Sequence, residues 1–309
     1  MGKVLFQFLV FPGFLFLAIA GGFLSWFDRK ITARIQFRKG PPLLQPFYDF
    51  IKLLAKETVI PENTSPVVFM LAPIIALSAS VIAGILILMP AFGISSGFKG
   101  DLIVIIYLLT IPAISLIFGG AVSGNPLSSV GASREIKLLI SYELPFLLAI
   151  LSLVIKADLS IKLEDIIYEQ HLFGAFIGSI SGILAFIVAM MSIQAKLGKV
   201  PFDLAEAETE IIAGAYTEYS GATLAIFKLN QYVLLFVLPA FVATLFFGEF
   251  RFDGWNILWS ILKLLAVVLL VTLIRNTNPR VRIKSAMRFF LVWMNLFALA
   301  AVILAIFGY

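Results

Sequence analysis

The densest set of ionisable side chains in the sequence lies between Lys196 and Gly221. Five carboxylates fall within sixteen residues there, at Asp203, Glu206, Glu208, Glu210 and Glu218. An aspartate three positions before a glutamate is typical of a capped helix start, so we expect a helix to begin after Asp203. In that helix Glu206 and Glu210 would share one face, where like charges repel each other.

Two chemical interpretations of this acidic segment remain open. If the acidic face packs against protein, loss of water and mutual repulsion raise the pKa values of its carboxyl groups, which then exchange protons near neutral pH. If the face points into water, the carboxylates form an ordinary solvated surface. The segment is therefore a candidate proton path, with a solvated helix face as its alternative.

Two further ionisable residues fall inside apolar stretches of the sequence. Glu143 follows Lys137 by six residues, and Lys263 lies eight residues from Trp255 and twelve from Arg275. A charge near the centre of a bilayer costs about 2.5–3.5 kcal/mol, so such residues usually face a protein interior or a water path. The alternatives are a structural ion pair for Glu143 and snorkelling for Lys263, although about 12 Å separates Lys263 from either end of its stretch. We add both to the candidate proton path.

The chain has few residues that could bind a metal ion or a haem. The sequence has no cysteine, and its single histidine is His171. A thiolate-bound iron–sulfur cluster and a haem held by two histidines are therefore excluded. We expect no metal site and no cofactor in this chain. If the protein takes part in redox chemistry, the electrons travel elsewhere.

The composition is that of a membrane protein. Hydrophobic residues make up 61% of the 309 residues and charged residues only 13%, against about 25% charged in a soluble domain. Eight apolar stretches are long enough to cross a bilayer: Val4–Phe27, Val67–Pro90, Leu102–Val122, Leu138–Ile155, Leu172–Gln194, Ala222–Phe247, Trp255–Ile274 and Phe289–Phe307. We predict an all-α integral membrane protein with about eight transmembrane helices and one transmembrane domain over residues 1–309.

The basic residues predict the orientation in the membrane. Loops 28–66, 123–137, 195–221 and 275–288 contain sixteen of the 23 Lys and Arg residues, and the opposite side contains five. Loops rich in Lys and Arg stay in the cytoplasm. We therefore expect a multi-pass protein of the cell membrane, with both termini outside and the large basic and acidic loops in the cytoplasm. The basic charge is explained by topology, so no nucleic-acid partner is expected.

The first predicted cytoplasmic loop combines basic residues with two prolines, Pro41 and Pro42, which end any helix. Phe47, Ile51 and Leu54 then recur at helical spacing. This pattern predicts an amphipathic helix in the membrane interface. The loop is either a surface that binds anionic lipid or a docking platform for a cytoplasmic subunit.

The acidic segment also carries a family resemblance. Pro201-Phe202-Asp203-Leu204-Ala205-Glu206-Ala207-Glu208, followed by Glu210, Gly214 and Thr217-Glu218-Tyr219-Ser220-Gly221, resembles the signature of subunit 1 of respiratory complex I. It also resembles the related membrane subunit of membrane-bound [NiFe] hydrogenases. Asp28-Arg29-Lys30, Arg134, Ser141-Tyr142-Glu143 with Pro145, and the basic residues from Arg275 to Arg288 match the family's other landmarks in order.

The resemblance implies a coupling subunit without a catalytic redox centre of its own. It would join a hydrogenase-like large subunit and a small iron–sulfur subunit in the cytoplasm to antiporter-like membrane subunits. The iron–sulfur clusters and the nickel–iron centre would lie in those partners. Docking to the partners is expected of Asp28, Arg29, Lys30, Arg34, Arg38, Lys39, Gly40, Pro41, Arg134, Arg280 and Arg282. The acidic residues above, with Glu143, would line a lateral proton path.

Two departures from the quinone-using members count against quinone binding. Gly40-Pro41-Pro42 runs directly into Leu43-Leu44-Gln45, a compact form similar to the energy-converting hydrogenases. Lys284 stands where quinone-using members usually have aspartate. We therefore predict a subunit of a ferredoxin-dependent membrane-bound hydrogenase that moves H+, or H+ and Na+. A sulfane-sulfur reductase or a quinone-type complex is the alternative within the family. A stand-alone secondary transporter and a passive anchor are alternatives of other classes.

Overall fold

The structure, a computed structural model, describes residues 2–62, 64–94, 97–206, 208–248, 250–252 and 254–308. These residues form helices joined by short connections, and no strand occurs among them. The α-helices are α1 (Gly2–Leu9), α2 (Phe14–Ile35), α3 (Gln45–Leu54), α4 (Pro66–Ala91), α5 (Asp101–Leu108), α6 (Ile111–Val122), α7 (Pro126–Lys156), α8 (Leu163–Phe173), α9 (Ile180–Lys196), α10 (Glu208–Ile211), α11 (Gly221–Phe246), α12 (Asn256–Thr277), α13 (Ile283–Arg288) and α14 (Asn295–Ile306). Short 3₁₀ helices occupy Phe176–Gly178 and Gly214–Tyr216, and a π-helical stretch, Phe289–Met294, joins α13 to α14.

The helices confirm the predicted all-α, multi-pass membrane architecture. In the part of the chain that is described, seven segments are long and apolar enough to cross a membrane, and α9 is a shorter apolar helix of 17 residues. Some of the spans are interrupted. The first consists of α1 and α2, and the third breaks between α5 and α6 at Leu109 and Thr110, just before Pro112.

Three predicted boundaries were wrong. α2 continues to Ile35, so Asp28, Arg29 and Lys30 lie in a helix and not in a loop. α7 begins at Pro126 and not at residue 138, because the side chain of Asn125 accepts a hydrogen bond from the Leu127 amide and caps the helix. α9 begins at Ile180 and not at residue 172, because the preceding apolar residues belong to α8, which is followed by Gly174 with a φ of +92°.

α11 is the central helix of the bundle. Its apolar residues cover the whole circumference, and nearly all of them are buried, as expected of a helix that packs on every side. It contacts α2, α4, α9 and α12. The connections after α2, α6, α9 and α12 meet at the end of the bundle where α11 begins. We call this the basic end.

Helix α3 confirms the amphipathic helix predicted in the first connection. It lies against α2 and α11, and Phe47 packs over Gly22, where a Cβ atom would come within 2.6 Å of the Phe47 ring. The indole of Trp26 donates a hydrogen bond to the Pro41 carbonyl at 3.2 Å. Ile51 and Leu54 stay exposed, so this chain covers only part of the apolar face of α3.

Candidate functional site

The acidic segment does not begin with the helix that the capping pattern predicts. Asp203 to Glu206 form irregular backbone, and the next helix is the single turn of α10. The carboxylate of Asp203 accepts a hydrogen bond from Arg280 Nε at 2.7 Å instead of capping a helix. Val281 also donates its amide hydrogen to the Pro201 carbonyl at 3.2 Å. The segment is therefore fixed to the connection after α12, and Glu206 and Glu210 do not share a helix face.

Close backbone packing holds the second half of the acidic segment against α7. A Cβ atom on Gly131 of α7 would lie 2.5 Å from the Ala215 nitrogen. Gly214 has a φ of +51°, and a Cβ atom there would lie 1.7 Å from the Ala205 carbonyl oxygen. Only glycine fits at these two positions. They bring the 3₁₀ helix Gly214–Tyr216 onto the side of α7 that carries ionisable residues.

Glu206 points back into the bundle toward α11. Its carboxylate accepts a hydrogen bond from Gln231 Nε2 at 2.8 Å. The same amide nitrogen lies 3.3 Å from the Tyr216 hydroxyl, and Gln231 Oε1 accepts a hydrogen bond from Lys228 Nζ at 3.1 Å. Burial raises the pKa of the Tyr216 hydroxyl well above its usual range, and the nearby carboxylates of Glu206 and Glu135 raise it further. Tyr216 therefore stays protonated, and its hydroxyl oxygen accepts the hydrogen bond from Gln231 Nε2.

A cavity of about 40 Å³ lies beside these groups. Its volume is sufficient for at least one water molecule. Its polar lining consists of Glu135, Lys196, Asp203, Glu206, Tyr216, Asn230 and Gln231. The cavity thus brings Asp203 and Glu206 together with two ionisable residues that the sequence analysis did not select, Glu135 and Lys196.

Lys196 and Glu143 form a buried ion pair on the inner side of this cavity. The two charged groups are 2.7 Å apart, and only 2% of the Lys196 side chain and 20% of the Glu143 side chain are exposed. The ammonium also lies over the rings of Tyr142 and Phe146, 5.1 Å and 4.9 Å from their centroids. Glu143 accepts a second hydrogen bond, at 3.0 Å, from Thr110 Oγ1 at the break between α5 and α6. The structural ion pair that was one alternative for Glu143 is therefore present.

The other predicted proton-path residues lie outside this interior cluster. Glu210 is half exposed and forms an ion pair with Arg134. Glu218 accepts a hydrogen bond from the amide of Asn125. The side chain of Glu208 lies outside the described residues. The acidic segment therefore has a packed part, at Asp203 and Glu206, and a half-exposed part, at Glu210.

Lys263 lies apart from all the acidic residues of the candidate path. Its ammonium donates a hydrogen bond to the Gly248 carbonyl at 3.2 Å. Gly248 follows the end of α11, on the side of the bundle opposite the basic end. The structure thus gives this cation a backbone partner, and it does not bring Lys263 to the acidic cluster.

Asp28, one of the predicted docking residues, lies in the interior of this chain. It is 4% exposed, and its carboxylate accepts hydrogen bonds from Lys199 Nζ at 2.7 Å, Thr272 Oγ1 at 2.8 Å and Arg275 at 3.0 Å. Burial lowers the pKa of the Lys199 ammonium below its usual value, although the Asp28 carboxylate opposes this shift. Asp28 therefore joins α2 to α12 and to the acidic segment, and it has two cationic partners within the chain.

Some of the other predicted docking residues form contacts within the chain, and some have exposed side chains. Arg29 pairs with Asp49 of α3 at 2.8 Å. A Cβ atom on Gly40 would lie 2.6 Å from Cδ of Lys30, so the Gly40-Pro41 turn packs directly on α2. Arg134 and Arg280 hold the acidic segment, as described above. The exposed members of the set are Arg34, Arg38, Lys39, Arg280 and Arg282.

Sequence reasoning missed the residues at the centre of the site for identifiable reasons. Glu135 was assigned to a loop because α7 was predicted to begin at residue 138, yet Asn125-Pro126 is a standard helix-start signal that extends the helix over it. Lys196 was counted as a topological loop charge. Among the described residues, no group of three or more His, Cys, Asp or Glu side chains is arranged to hold a metal ion.

Known proteins resemble this chain over nearly its whole length. The family model described as NADH dehydrogenase matches residues 6–306. An NADH-quinone oxidoreductase subunit of Syntrophobacter fumaroxidans is 34% identical over 313 residues, which cover 94% of this chain and 91% of that protein. The corresponding NADH-quinone oxidoreductase subunit of Brevibacillus brevis is 35% identical over 298 residues, which cover 89% of this chain and 85% of that protein.

A solved structure is also similar. It belongs to the membrane-bound sulfane sulfur reductase, an archaeal respiratory membrane complex. The match has a TM-score of 0.87 and 28% sequence identity, and it covers 99% of this chain and 100% of that chain. The resemblance therefore extends to the arrangement of the helices as well as to the sequence.

Proposed function

Because the chain belongs to the NADH dehydrogenase family, whose members include a subunit of the NADH-quinone oxidoreductases, we propose that it couples electron transfer to ion transport in a complex I-like membrane complex. In this proposal it is a non-catalytic membrane subunit. It transmits a redox event in its partners to the movement of H+, or of H+ and Na+, through the membrane. The redox centres belong to the partner subunits.

One observation carries the proposal: a chain of polar groups leads from the acidic segment to a buried charge within the bundle. Glu206 is bonded to Gln231, and both line the cavity that Glu135 and Lys196 also line. Lys196 in turn holds Glu143. Buried ionisable groups within a membrane are costly and are typical of ion paths and proton relays. A passive anchor has no need of such groups.

The exposed basic residues support a docking role at the basic end. Arg34 lies in the last turn of α2, Arg38 and Lys39 come just after that helix, and Arg282 lies between α12 and α13. With the basic end in the cytoplasm and both termini outside, these residues would face the large subunit and the iron–sulfur subunit. Lys and Arg in short loops favour that orientation in the cell membrane. Antiporter-like subunits would contact the chain within the bilayer.

The terminal electron acceptor separates two versions of this function. The compact Gly40-Pro41-Pro42 turn, which packs on α2, favours the ferredoxin-dependent hydrogenase version. The full-length structural similarity to the sulfane sulfur reductase favours a complex that reduces sulfane sulfur. Purification of the intact complex, followed by nickel analysis and assays of H2 evolution and polysulfide reduction, separates the two. H2 evolution with bound nickel is the result expected for the hydrogenase, and a nickel-free complex that reduces polysulfide overturns that version.

The coupling role is tested by Glu206→Gln in the assembled complex, with Glu164→Gln as the control. Glu164 is an exposed carboxylate that pairs with Lys162 on the opposite end of the bundle. We expect Glu206→Gln to reduce the number of ions moved per electron and Glu164→Gln to leave it unchanged. Equal ion transport in both variants and the wild type would favour a passive anchor. Ion transport by the isolated chain in proteoliposomes would instead favour a stand-alone transporter.

A further inference from the structure

Lys196 is the most deeply buried cation described in this site. Its ammonium is held by one carboxylate, that of Glu143, and by two aromatic faces. A buried ammonium needs a nearby negative charge, because the loss of its hydration is not offset otherwise. Lys196 therefore depends on a carboxylate at all times.

Glu135 is a second carboxyl group beside Lys196, and it is 7% exposed. It lines the cavity together with Lys196, and no side chain among the described residues donates a hydrogen bond to it. Glu135 and Glu143 lie on the same helix, α7, eight residues apart. That spacing corresponds to about 12 Å along the helix axis. Lys196 of α9 contacts Glu143 and lines the same cavity as Glu135.

The charges in this cluster do not balance when both carboxyl groups are ionised. Two carboxylates and one ammonium have a net charge of −1, and an uncompensated buried charge is strongly unfavourable. One added proton, shared between Glu135 and Glu143, makes the cluster neutral. Two neutral arrangements then exist, with the proton on Glu135 and Lys196 paired to Glu143, as observed, or the reverse.

We propose that Lys196 is a movable internal cation that exchanges between Glu143 and Glu135 as a proton passes between the same two carboxyl groups in the opposite sense. The proton leaves a Glu135 oxygen through water in the cavity and arrives on a Glu143 oxygen. Meanwhile Lys196 breaks its ion pair with Glu143 and forms one with Glu135, so that the charge of the cluster does not change. This inference rests on the proposed coupling function.

Other titratable groups face this cluster and set the conditions for the exchange. Glu206 and Asp203 of the acidic segment and Tyr216 line the same cavity. Tyr142 lies against the Lys196 ammonium from α7. A negative charge gained or lost at Glu206 changes the electrostatic potential more at Glu135 than at Glu143, because Glu135 shares the cavity with Glu206. The acidic segment would thereby control which of the two arrangements is favoured.

The first test is a double-mutant cycle on the assembled complex, in which thermal unfolding is measured for Glu135→Gln, Glu143→Gln and the double variant. In either single variant Lys196 pairs with the remaining carboxylate, so each loss in Tm is small. In the double variant Lys196 has neither partner, so we expect a loss well above the sum of the single losses. Additive losses would show a fixed ion pair with Glu143 and would overturn the exchange.

The second test measures ion transport per electron in Lys196→Met, with Lys137→Met as the control. Lys137 is an exposed residue of the neighbouring helix, α7. We expect Lys196→Met to lose ion transport, because neither neutral arrangement of the two carboxyl groups forms without the cation, while Lys137→Met transports normally. Normal transport in Lys196→Met together with loss in Glu206→Gln would overturn this inference and leave the coupling function standing. Normal transport in both would overturn the coupling function as well.

Discussion

The substitution Asp28→Asn tests the interior network most sharply. The Asp28 carboxylate is buried and pairs with Lys199, whose side chain is 16% exposed, and with Arg275, whose side chain is 36% exposed. Removal of one partner of a buried ion pair costs about 3–5 kcal/mol. Since Arg275 can turn partly into water, we expect a loss of about 3 kcal/mol in the free energy of unfolding, at the lower end of that range.

The matched control is Asp49→Asn. Asp49 pairs with Arg29 at 2.8 Å, but both side chains are about a third exposed, at 34% and 37%. Exposed pairs contribute about 0.2–1 kcal/mol, so this control should lose less than about 1 kcal/mol. The assay is thermal or denaturant unfolding of the detergent-purified complex. Equal losses in the two variants would refute the conclusion that Asp28 is a buried carboxylate on which Lys199 and Arg275 depend.

The pH dependence of Asp28→Asn gives an independent check on the same reasoning. Burial already lowers the pKa of Lys199 in the folded protein, and Asp28 is the charge that opposes this shift. Without Asp28 the folded-state pKa falls further below that of the unfolded chain, so the unfolded state binds more protons over the window between the two values. Stability then rises with pH through that window. The loss in free energy of unfolding caused by Asp28→Asn should therefore become smaller as the pH rises toward the usual lysine pKa of 10.5. A loss that does not change with pH would contradict this reasoning.

Three further predictions concern the acidic segment. Gly131→Ala should destabilise the complex by about 1–3 kcal/mol, because the added Cβ atom would collide with the backbone of the acidic segment. The control is Gly178→Ala, where an added Cβ atom has nothing within 4 Å. Equal unfolding temperatures of the two variants would contradict the close packing. Arg280→Gln should increase hydrogen exchange around Pro201–Asp203, because Asp203 loses its partner, and unchanged exchange would show that other contacts hold the segment. Gln231→Leu should slow ion transport without loss of assembly, because Glu206 loses its link to α11, and normal transport would exclude Gln231 from the path.

The membrane architecture was predictable because it follows from the chemistry of single stretches. An apolar run long enough to cross a bilayer has few alternatives to a transmembrane helix. The periodicity that predicted α3 likewise needs only local spacing. The acidic signature was also recognisable, because its residues are contiguous in the sequence.

The interior of the site was not predictable, because it depends on contacts between distant segments. The inference that Glu206 and Glu210 share a face assumed a helix, whereas the pairing of Asp203 with Arg280 holds irregular backbone there. Neither Lys196 nor Glu143 shows in sequence that it has the other as a partner, 53 residues away.

Lys263 illustrates a different limit of sequence reasoning. The argument that snorkelling is difficult for Lys263 assumed that polar partners exist only at the two ends of its helix. The segment after α11 instead folds inward, with Phe250 fully buried, and so brings the Gly248 carbonyl within reach of the ammonium. A buried connection thus supplies a partner that hydropathy does not reveal.

The most direct measurement of the central claim is the number of ions moved per electron in inverted membrane vesicles that contain the complex with Glu143→Gln. Glutamine keeps the shape of the side chain and removes its charge and its proton. The account predicts an assembled complex in which electron transfer no longer drives ion transport through this subunit. An assembled Glu143→Gln complex that moves as many ions per electron as the wild type would contradict it.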